Sequence, residues 1–238
     1  MPTIGAEYAN VRNTSCFSKS NMQRLQELMY EKTAERGTVL FWEGDAAKQL
    51  FFVHRGAVRL VKTSEEGKQL TMSLYKPGDL FGQIDPYRES AQSCTAEMAE
   101  DGAVGIVQRS DLEVLLWRHG DFAVEFMRWM GLIQRIHLTK VRDLMSFGKS
   151  GALSSVLIRL SNTYGAVVED GIRIERSLTH TELADMIGSS REGVNRTIMG
   201  WKREGILDMR DGFLVIHHLD ALRAICRCED CPAGVCRM

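Results

Sequence analysis

The sequence predicts an α+β chain with an N-terminal antiparallel β unit, one long helix, and a C-terminal helix pair followed by a β hairpin. Three observations predict this fold. Short apolar segments alternate with turn signals from Thr38 to Gln108, no proline interrupts 121–147, and two helix-capping signals precede an Asp-Gly turn. Strands followed by helices suggest two domains of unequal size, which suits a chain of 238 residues.

Turn signals divide the first segment, 1–120, into the strands of a β roll. Among them are Arg55-Gly56 and Pro77-Gly78, which favour tight turns. After Gly56, Val58 and Leu60 fall on one face because side chains alternate along a strand. The alternation is imperfect, as a roll with two half-buried sheets predicts.

The second segment, 121–148, predicts one helix of about 27 residues and roughly 40 Å. It contains Gly131 and ends at Gly148. Steps of three and four residues give a stripe that is apolar at first and polar near its end: Phe126, Trp129, Ile133, Ile136, Lys140, Asp143 and Phe147. Such a stripe predicts helix pairing between two copies of the chain. The alternative is that the stripe packs on the β unit.

The third segment, 149–220, predicts a helix-turn-helix with a wing. Thr179 with Glu182 and Ser189 with Glu192 have the spacing of capping boxes, so two helices begin about ten residues apart. Helical spacing predicts two inward faces: Leu183, Ala184 and Ile187 in the first helix, and Val194, Ile198 and Trp201 in the second. Asp211-Gly212 between apolar flanks predicts the hairpin of the wing.

The outward face of the second helix carries side chains that suit DNA: Arg191, Glu192, Asn195 and Arg196. Arginine pairs with guanine in a bidentate manner, and glutamate accepts from the amino group of cytosine. Alternatively, Glu192 only caps its helix and the arginines only solvate a surface. The net charge of −1 excludes binding through bulk positive charge, so any DNA contacts must be few and local.

Composition and motifs favour a globular protein that is neither a membrane protein nor an enzyme. Hydrophobic residues are 44% and charged residues 26%, which is ordinary globular usage. The apolar runs are far shorter than the ~20 residues of a membrane span, and the N-terminus lacks the apolar region of a signal peptide, so we expect a cytoplasmic protein without membrane contact. The sequence contains no Gly-rich phosphate loop and no nucleophile arrangement, so we do not expect an enzyme.

Four of the six cysteines fall within the last thirteen residues: Cys226, Cys228, Cys231 and Cys236. In a reducing compartment, closely spaced cysteines are more often metal ligands or redox groups than disulfides. Zinc would accept four thiolates, whereas a [4Fe-4S] cluster would add redox chemistry. Spacing does not separate the two, and free reactive thiols or an intermolecular disulfide form a third option.

These motifs together resemble the Crp/Fnr family of bacterial transcription regulators. The resemblance runs from about Phe17 to Asp220 and rests on the β roll, the long helix, the segment Thr181-Glu182-Leu183-Ala184-Asp185-Met186-Ile187-Gly188 and the segment Arg191-Glu192-Gly193-Val194-Asn195-Arg196. It implies a jelly-roll domain like those that bind cyclic nucleotides, a dimerisation helix and a winged helix. It also implies a homodimer that reads palindromic double-stranded DNA and contacts RNA polymerase.

Within this family resemblance, Arg191, Glu192 and Arg196 occupy the base-reading positions, with Asn195 between them. Because an arginine precedes the glutamate, we expect TGTGA-like half-sites rather than TTGAT. Members that bind cyclic AMP carry a Gly-Glu pair and a downstream Arg-Ser pair. Here Gly82 is followed by Gln83, and Gln92 precedes Ser93, so we expect no cyclic nucleotide.

The tail, within 221–238, is similar to that of the Gram-positive type of Fnr. This similarity implies a [4Fe-4S] cluster with Cys228, Cys231 and Cys236 as ligands and an aspartate, here Asp143, as the fourth. Cys226 is the competitor, although it would also continue an apolar helix face, and Asp143 could instead form a surface ion pair with Lys140. The implied function is an oxygen- or redox-responsive activator of anaerobic genes. A zinc-stapled regulator and an iron–sulfur redox enzyme or electron carrier are the alternatives.

Overall fold

The computed structural model of the protein describes residues 11–84 and 90–238. The chain divides into two compact units, one of Arg12–Ile133 and one that contains Gln134–Met238. Neither unit has a described helix with the length and apolar character that a membrane crossing requires. The long helix begins in the first unit and ends in the second.

The first unit is an antiparallel β roll preceded by the short helix α1 (Lys19–Gln26). Its described strands are β1 (Tyr30–Ala34), β2 (Val39–Phe41), β3 (Gln49–Arg55), β4 (Val58–Thr63), β5 (Gln69–Tyr75), β6 (Leu80–Phe81), β7 (Thr95–Met98) and β8 (Gly102–Gln108). They form two four-stranded sheets, β1-β8-β3-β6 and β2-β7-β4-β5. One core cluster takes residues from both sheets, including Phe41, Phe51, Tyr75 and Phe81. The predicted roll is therefore confirmed.

Strands β3 and β4 are joined by a turn that only glycine can occupy without displacing its neighbours. Gly56 has φ +77°, and a Cβ there would lie 2.5 Å from the carbonyl oxygen of Asp101. Beyond the turn, the predicted alternation along β4 is interrupted, because its register with β5 shifts between Leu60 and Val61. Such a bulge places Val58 and Val61, three residues apart, on the buried side.

Two helices follow the roll: α2 (Arg109–Arg118) and α3 (Gly120–Ser146). The 27 residues of α3 match the predicted long helix to within one residue at each end. Phe147 separates it from the next helix, whose first residue, Gly148, has φ +61°. A left-handed residue at this position ends a helix, and glycine adopts that conformation readily.

The stripe that predicted pairing of two copies is instead buried within the chain. Phe126 and Trp129 belong to a core cluster of the roll, and Lys140 and Asp143 are buried too. The alternative reading, packing on the β unit, is therefore correct for Phe126 and Trp129. A different stripe, displaced by about one residue, leaves large apolar side chains exposed: Met127, Met130, Leu138, Val141 and Met145. We call this stripe the exposed seam.

The second unit contains the predicted winged helix. Its elements after α3 are α4 (Gly148–Tyr164), β9 (Gly165–Val168), β10 (Gly171–Ile174), α5 (His180–Ile187), α6 (Arg191–Arg203), β11 (Leu207–Arg210), β12 (Phe213–Ile216) and α7 (Leu219–Ile225). The strands form one antiparallel sheet in the order β11-β12-β10-β9. Helix α4 is buried along most of its length and forms the centre of this unit.

Candidate functional sites

Helices α5 and α6 form a helix-turn-helix. The capping box predicted at Thr179 and Glu182 is present, with the Thr179 hydroxyl accepting from the amide of Glu182 and the Glu182 carboxylate accepting from the amide of Thr179. Gly188, at φ +60°, ends α5. The inward faces are buried nearly as expected, although Met186 is more deeply buried than Ile187.

The second capping signal was placed one residue too early. Ser190, not Ser189, is the N-cap of α6, and its hydroxyl accepts from the amide of Gly193. The box predicted between Ser189 and Glu192 is therefore wrong. Because Glu192 does not cap the helix, its carboxylate remains available for contacts outside the protein.

The proposed base-reading side chains all lie on the exposed side of α6: Arg191, Glu192, Asn195 and Arg196. Neither arginine has an ion-pair partner in the part of the chain that the structure describes. Val194, Ile198 and Trp201 hold the other side of α6 in the core. The arrangement fixes the helix and leaves one polar face free, as a recognition helix requires.

The wing is a two-residue hairpin between β11 and β12. Asp211 and Gly212 both have positive φ, at 52° and 83°, which is the backbone of a type I′ turn. Next to this turn, Arg210 donates from two nitrogens to the two carboxylate oxygens of Asp170 in the β9–β10 turn. This bidentate pair links the wing to the neighbouring hairpin.

Five potential metal ligands line one pocket in the second unit: Asp143, Cys226, Cys228, Cys231 and Cys236. The unfilled space in the pocket is about 10 Å³, roughly what one water molecule needs. Asp143 comes from the C-terminal end of α3, and the thiols come from the chain beyond α7. The structure thus brings together all of the ligands expected from the sequence, including the competitor Cys226.

The tail backbone turns sharply between the cysteines. Arg227 and Asp230 have φ of 47° and 50°, a left-handed conformation that residues other than glycine rarely adopt. Further on, the amide of Cys236 donates to the carbonyl of Pro232 at 2.9 Å. These turns fold the tail back on itself, so that thiols separated in sequence line the same pocket.

Asp143 is buried, and both of its carboxylate oxygens accept hydrogen bonds. Oδ2 accepts from the hydroxyl of Ser155 and from the guanidinium of Arg159, each at 2.6 Å. Oδ1 accepts from Arg142, which also forms an ion pair with Glu229 of the tail. Burial acts to raise the pKa of Asp143, but the bonds from Ser155, Arg159 and Arg142 outweigh it, so its pKa lies below the ordinary value. The side chain is therefore a carboxylate at neutral pH, as a metal ligand must be.

Two of the tail thiols are held in their protonated form. Burial raises the pKa of Cys226 and the pKa of Cys236 to about 11. Cys226 also donates a weak hydrogen bond to the carbonyl of Arg223 in the last turn of α7. Because only thiolates bind metal, ligation by either residue must release a proton and becomes easier as the pH rises.

The donor set fits an iron–sulfur cluster in its chemistry. Thiolates are the usual cluster ligands, and the carboxylate of Asp143 lines the same pocket. Within 11–84 and 90–238, however, no group of three or more His, Cys, Asp or Glu side chains has the geometry to hold a metal ion as it stands. The tail therefore has to adjust before its thiols converge on a bound group.

Sequence reasoning missed the polar residues of α4 that surround Asp143 and the tail. Arg159 is 1% exposed, Ser155 is buried, and Asn162 donates to the carbonyl of Cys236 at 2.7 Å. A signal for one of them was present, because Arg159 interrupts the apolar run from Val156 to Leu160. An arginine inside a buried helix face needs a buried partner, and Asp143 is that partner.

The two glutamines on which the expectation of no cyclic nucleotide rests, Gln83 and Gln92, lie among the described residues, whereas 85–89 between them do not. Gln83 donates to the carbonyl of Ala91 and accepts from the amide of Ser93, each at 3.1 Å. Gln92 is buried. These groups supply no positive charge for a phosphate anion.

Two family models match the chain. A cyclic nucleotide-binding domain matches residues 31–119, and a Crp-like helix-turn-helix domain matches residues 151–225. The chain is 33% identical over 228 residues to the anaerobic regulatory protein of Bacillus subtilis, covering 95% of this chain and 96% of the relative. It is 28% identical over 196 residues to the global nitrogen regulator of Synechocystis, covering 80% and 86% of the two chains.

Solved structures share the fold. FixK2 from Bradyrhizobium japonicum aligns with a TM-score of 0.73 at 20% identity, covering 83% of this chain and 96% of the other. A CooA mutant from Carboxydothermus hydrogenoformans also aligns with a TM-score of 0.73 at 20% identity, covering 84% and 89%. At these identities the likeness concerns the fold alone.

Proposed function

This chain belongs to the Crp/Fnr family of transcription regulators, and on that basis we propose that it responds to oxygen or redox state through a [4Fe-4S] cluster. It is a DNA-binding regulator and not an enzyme, as the family and its Crp-like helix-turn-helix domain indicate. In the proposal, Cys228, Cys231, Cys236 and Asp143 hold the cluster, and the cluster controls DNA binding. The name of the Bacillus subtilis relative, an anaerobic regulatory protein, supports activation of anaerobic genes as the output.

The observation that carries the proposal is that Asp143 and the tail cysteines line the same pocket. Asp143 belongs to α3 and the cysteines follow α7, so a group bound by both would join the end of the long helix to the end of the winged helix. Cys226 lines the same pocket and remains the competitor for the fourth position. Its bond to the Arg223 carbonyl supports a structural role in the last turn of α7.

Residues of this chain would convert ligation into a change in DNA binding. A cluster held in this pocket would supply an oxygen-sensitive redox centre. Asp143 offers a harder and more exchangeable ligand than a thiolate, so ligation at Asp143 is the easiest to reverse. Joining α3 to the tail restrains the winged helix, and releasing Asp143 relaxes that restraint. A domain that must be ordered upon binding has a lower apparent affinity.

DNA recognition in this proposal needs two copies of the chain. Recognition helices of a dimer enter major grooves about 34 Å apart, so a homodimer reads a palindrome. The exposed seam of α3 supports pairing between copies, because it runs along most of the helix and is unusually apolar for a solvated surface. We expect Arg191, Glu192 and Arg196, with Asn195 between them, to read TGTGA-like half-sites. Contact with RNA polymerase and action in the cytoplasm belong to the same proposal.

The β roll acts in this proposal as a scaffold that binds no cyclic nucleotide. Gln83 bridges Ala91 and Ser93, and no arginine stands where Gln92 lies, which supports this role. The match of residues 31–119 to a cyclic nucleotide-binding domain describes the fold of the roll. It does not by itself mean that the roll binds a nucleotide.

A zinc-stapled regulator without redox sensing is the second candidate, because four thiols line the pocket. Purification without oxygen separates the two candidates. The proposal predicts brown protein whose broad visible absorption bleaches in air, with iron and sulfide in equal amounts. Colourless protein that contains zinc alone would favour the second candidate.

A further inference from the structure

Arg159 is bonded to Asp143 and to the end of the tail at the same time. Its Nη2 donates to Asp143 Oδ2 at 2.6 Å. Its Nη1 lies 3.4 Å from the carbonyl oxygens of Val235 and of Arg237. The guanidinium is fully enclosed, since Arg159 is 1% exposed. One planar group with fixed donor directions therefore contacts both Asp143 and the tail.

We propose that Arg159 is a positioning residue that couples Asp143 to the last residues of the chain, so that a change at Asp143 alters how firmly the tail is held. A buried guanidinium cannot keep its bonds to the tail carbonyls unchanged when its carboxylate partner moves or loses its charge, because its donors lie in one rigid plane. The link consists of protein groups alone. Any role of this link in redox sensing rests on the proposed function. The coupling of Asp143 to the tail through Arg159 does not.

The two oxygens of Asp143 differ in a way that supports this role. Oδ2 is held by Ser155 and Arg159, which both lie on α4 and are both buried. Oδ1 is held by Arg142, whose side chain is partly exposed and shared with Glu229 of the tail. A ligand can therefore reach Oδ1 by displacing the side chain of Arg142. Oδ2 meanwhile keeps its hydrogen bond from Arg159.

The tail has a second attachment that does not pass through Asp143. Asn162 donates to the carbonyl of Cys236 at 2.7 Å, and the hydroxyl of Thr163 accepts from the amide of Met238 at 3.1 Å. Among the residues that the structure describes, the hydrogen bond of the Asn162 side chain goes to the tail and not to Asp143. Asn162 therefore provides a matched control, because its loss loosens the tail by a route independent of Arg159.

Hydrogen exchange of the tail amides in the full-length, iron-free protein tests the coupling. We expect Asp143→Asn to speed exchange in residues 228–238 by about tenfold or more, as the loss of one buried charged hydrogen bond implies. Arg159→Met should give a similar increase, and the double variant should exchange no faster than Arg159→Met alone. Asn162→Ala combined with Asp143→Asn should instead show the product of the two single effects. Exchange in α5 and α6 should stay unchanged.

Two results would overturn the proposal: tail exchange that is unchanged in Asp143→Asn, or effects of Asp143→Asn and Arg159→Met that multiply. If Arg159→Met does not fold, Arg159→Lys keeps a buried cation but lacks the rigid fork, and the same non-additivity with Asp143→Asn is expected. Because no iron is present, these results do not depend on whether the pocket binds a cluster.

Discussion

Asp143 on the long helix and Cys236 near the end of the chain line the same pocket. Arg159 connects them, since it is bonded to the carboxylate of Asp143 and to the carbonyls on either side of Cys236. A ligand bound at this pocket would therefore act on both the end of α3 and the tail of the winged helix.

Replacing single cysteines distinguishes the proposed ligands from the competitor. Cys236→Ala removes a proposed ligand, so anaerobically purified protein should lose most of its iron. Cys226→Ala should keep about four iron atoms per chain, because the cluster needs one ligand per iron and Asp143 supplies the fourth. Iron and sulfide analysis measures both. If Cys226→Ala lost as much iron as Cys236→Ala, Cys226 would replace Asp143 as the fourth ligand.

Base recognition by α6 can be tested through Arg191 and Glu192. Each alanine substitution should weaken binding to a TGTGA palindrome by about 1–3 kcal/mol, as the loss of one good base contact does, and should relax preference at one position. Fluorescence anisotropy at fixed salt measures this. Lys68→Ala, on a turn of the β roll where Lys68 pairs with Glu66, serves as the control and should leave affinity unchanged. Selection of TTGAT half-sites from random DNA would reject the expected specificity.

The exposed seam predicts where two copies pair. Leu138 is 62% exposed in the single chain, and Leu138→Asp would place two carboxylates in a dimer interface without partners. We expect monomers by sedimentation velocity at micromolar concentration, together with weak operator binding. Arg128→Ala, on the same helix but outside the seam, should leave the dimer intact. A Leu138→Asp protein that still sedimented as a dimer would show that pairing occurs elsewhere.

Lys140 predicts a stability that depends on pH. It is 7% exposed, and burial, followed by the nearby charge of Arg159, lowers the pKa of Lys140 from 10.5 to about 7. Between these two values the unfolded chain binds more protons than the folded chain, so the free energy of unfolding should rise with pH across that range.

We therefore expect iron-free Lys140→Met protein to be more stable than the parent near pH 7, by a few kcal/mol at most, with the difference shrinking toward pH 10. Urea unfolding at several pH values measures it. Parallel stability curves for the two proteins would mean that Lys140 does not titrate in this range.

The sequence predicted the roll, the long helix and the winged helix because these depend on turn signals, proline-free length and capping, which are local. It missed β1, a polar strand exposed at four of its five positions, because such an edge strand shows no apolar alternation. Helical periodicity correctly predicted which residues of α3 form a buried stripe. It did not predict which part of the protein packs against that stripe. A neighbouring part of the same chain and a second copy both select apolar residues, so spacing does not distinguish them.

The cysteine tail was evident from its density of sulfur, whereas the residues that hold it were not. Arg159, Ser155 and Asn162 act through contacts with residues far away in sequence, and only the fold brings these groups together. The error at the second capping box has a simpler cause. Ser189 and Ser190 are adjacent, and either hydroxyl satisfies the local pattern.

The affinity of one anaerobic preparation for a TGTGA palindrome, measured before and after removal of its iron at constant salt, tests the central claim most directly. We predict that the iron-loaded protein binds at least about tenfold more tightly, which corresponds to roughly 1.4 kcal/mol of restraint. Asp143→Ala should reduce this difference. Equal affinities with and without iron would contradict control of DNA binding by a cluster in this pocket.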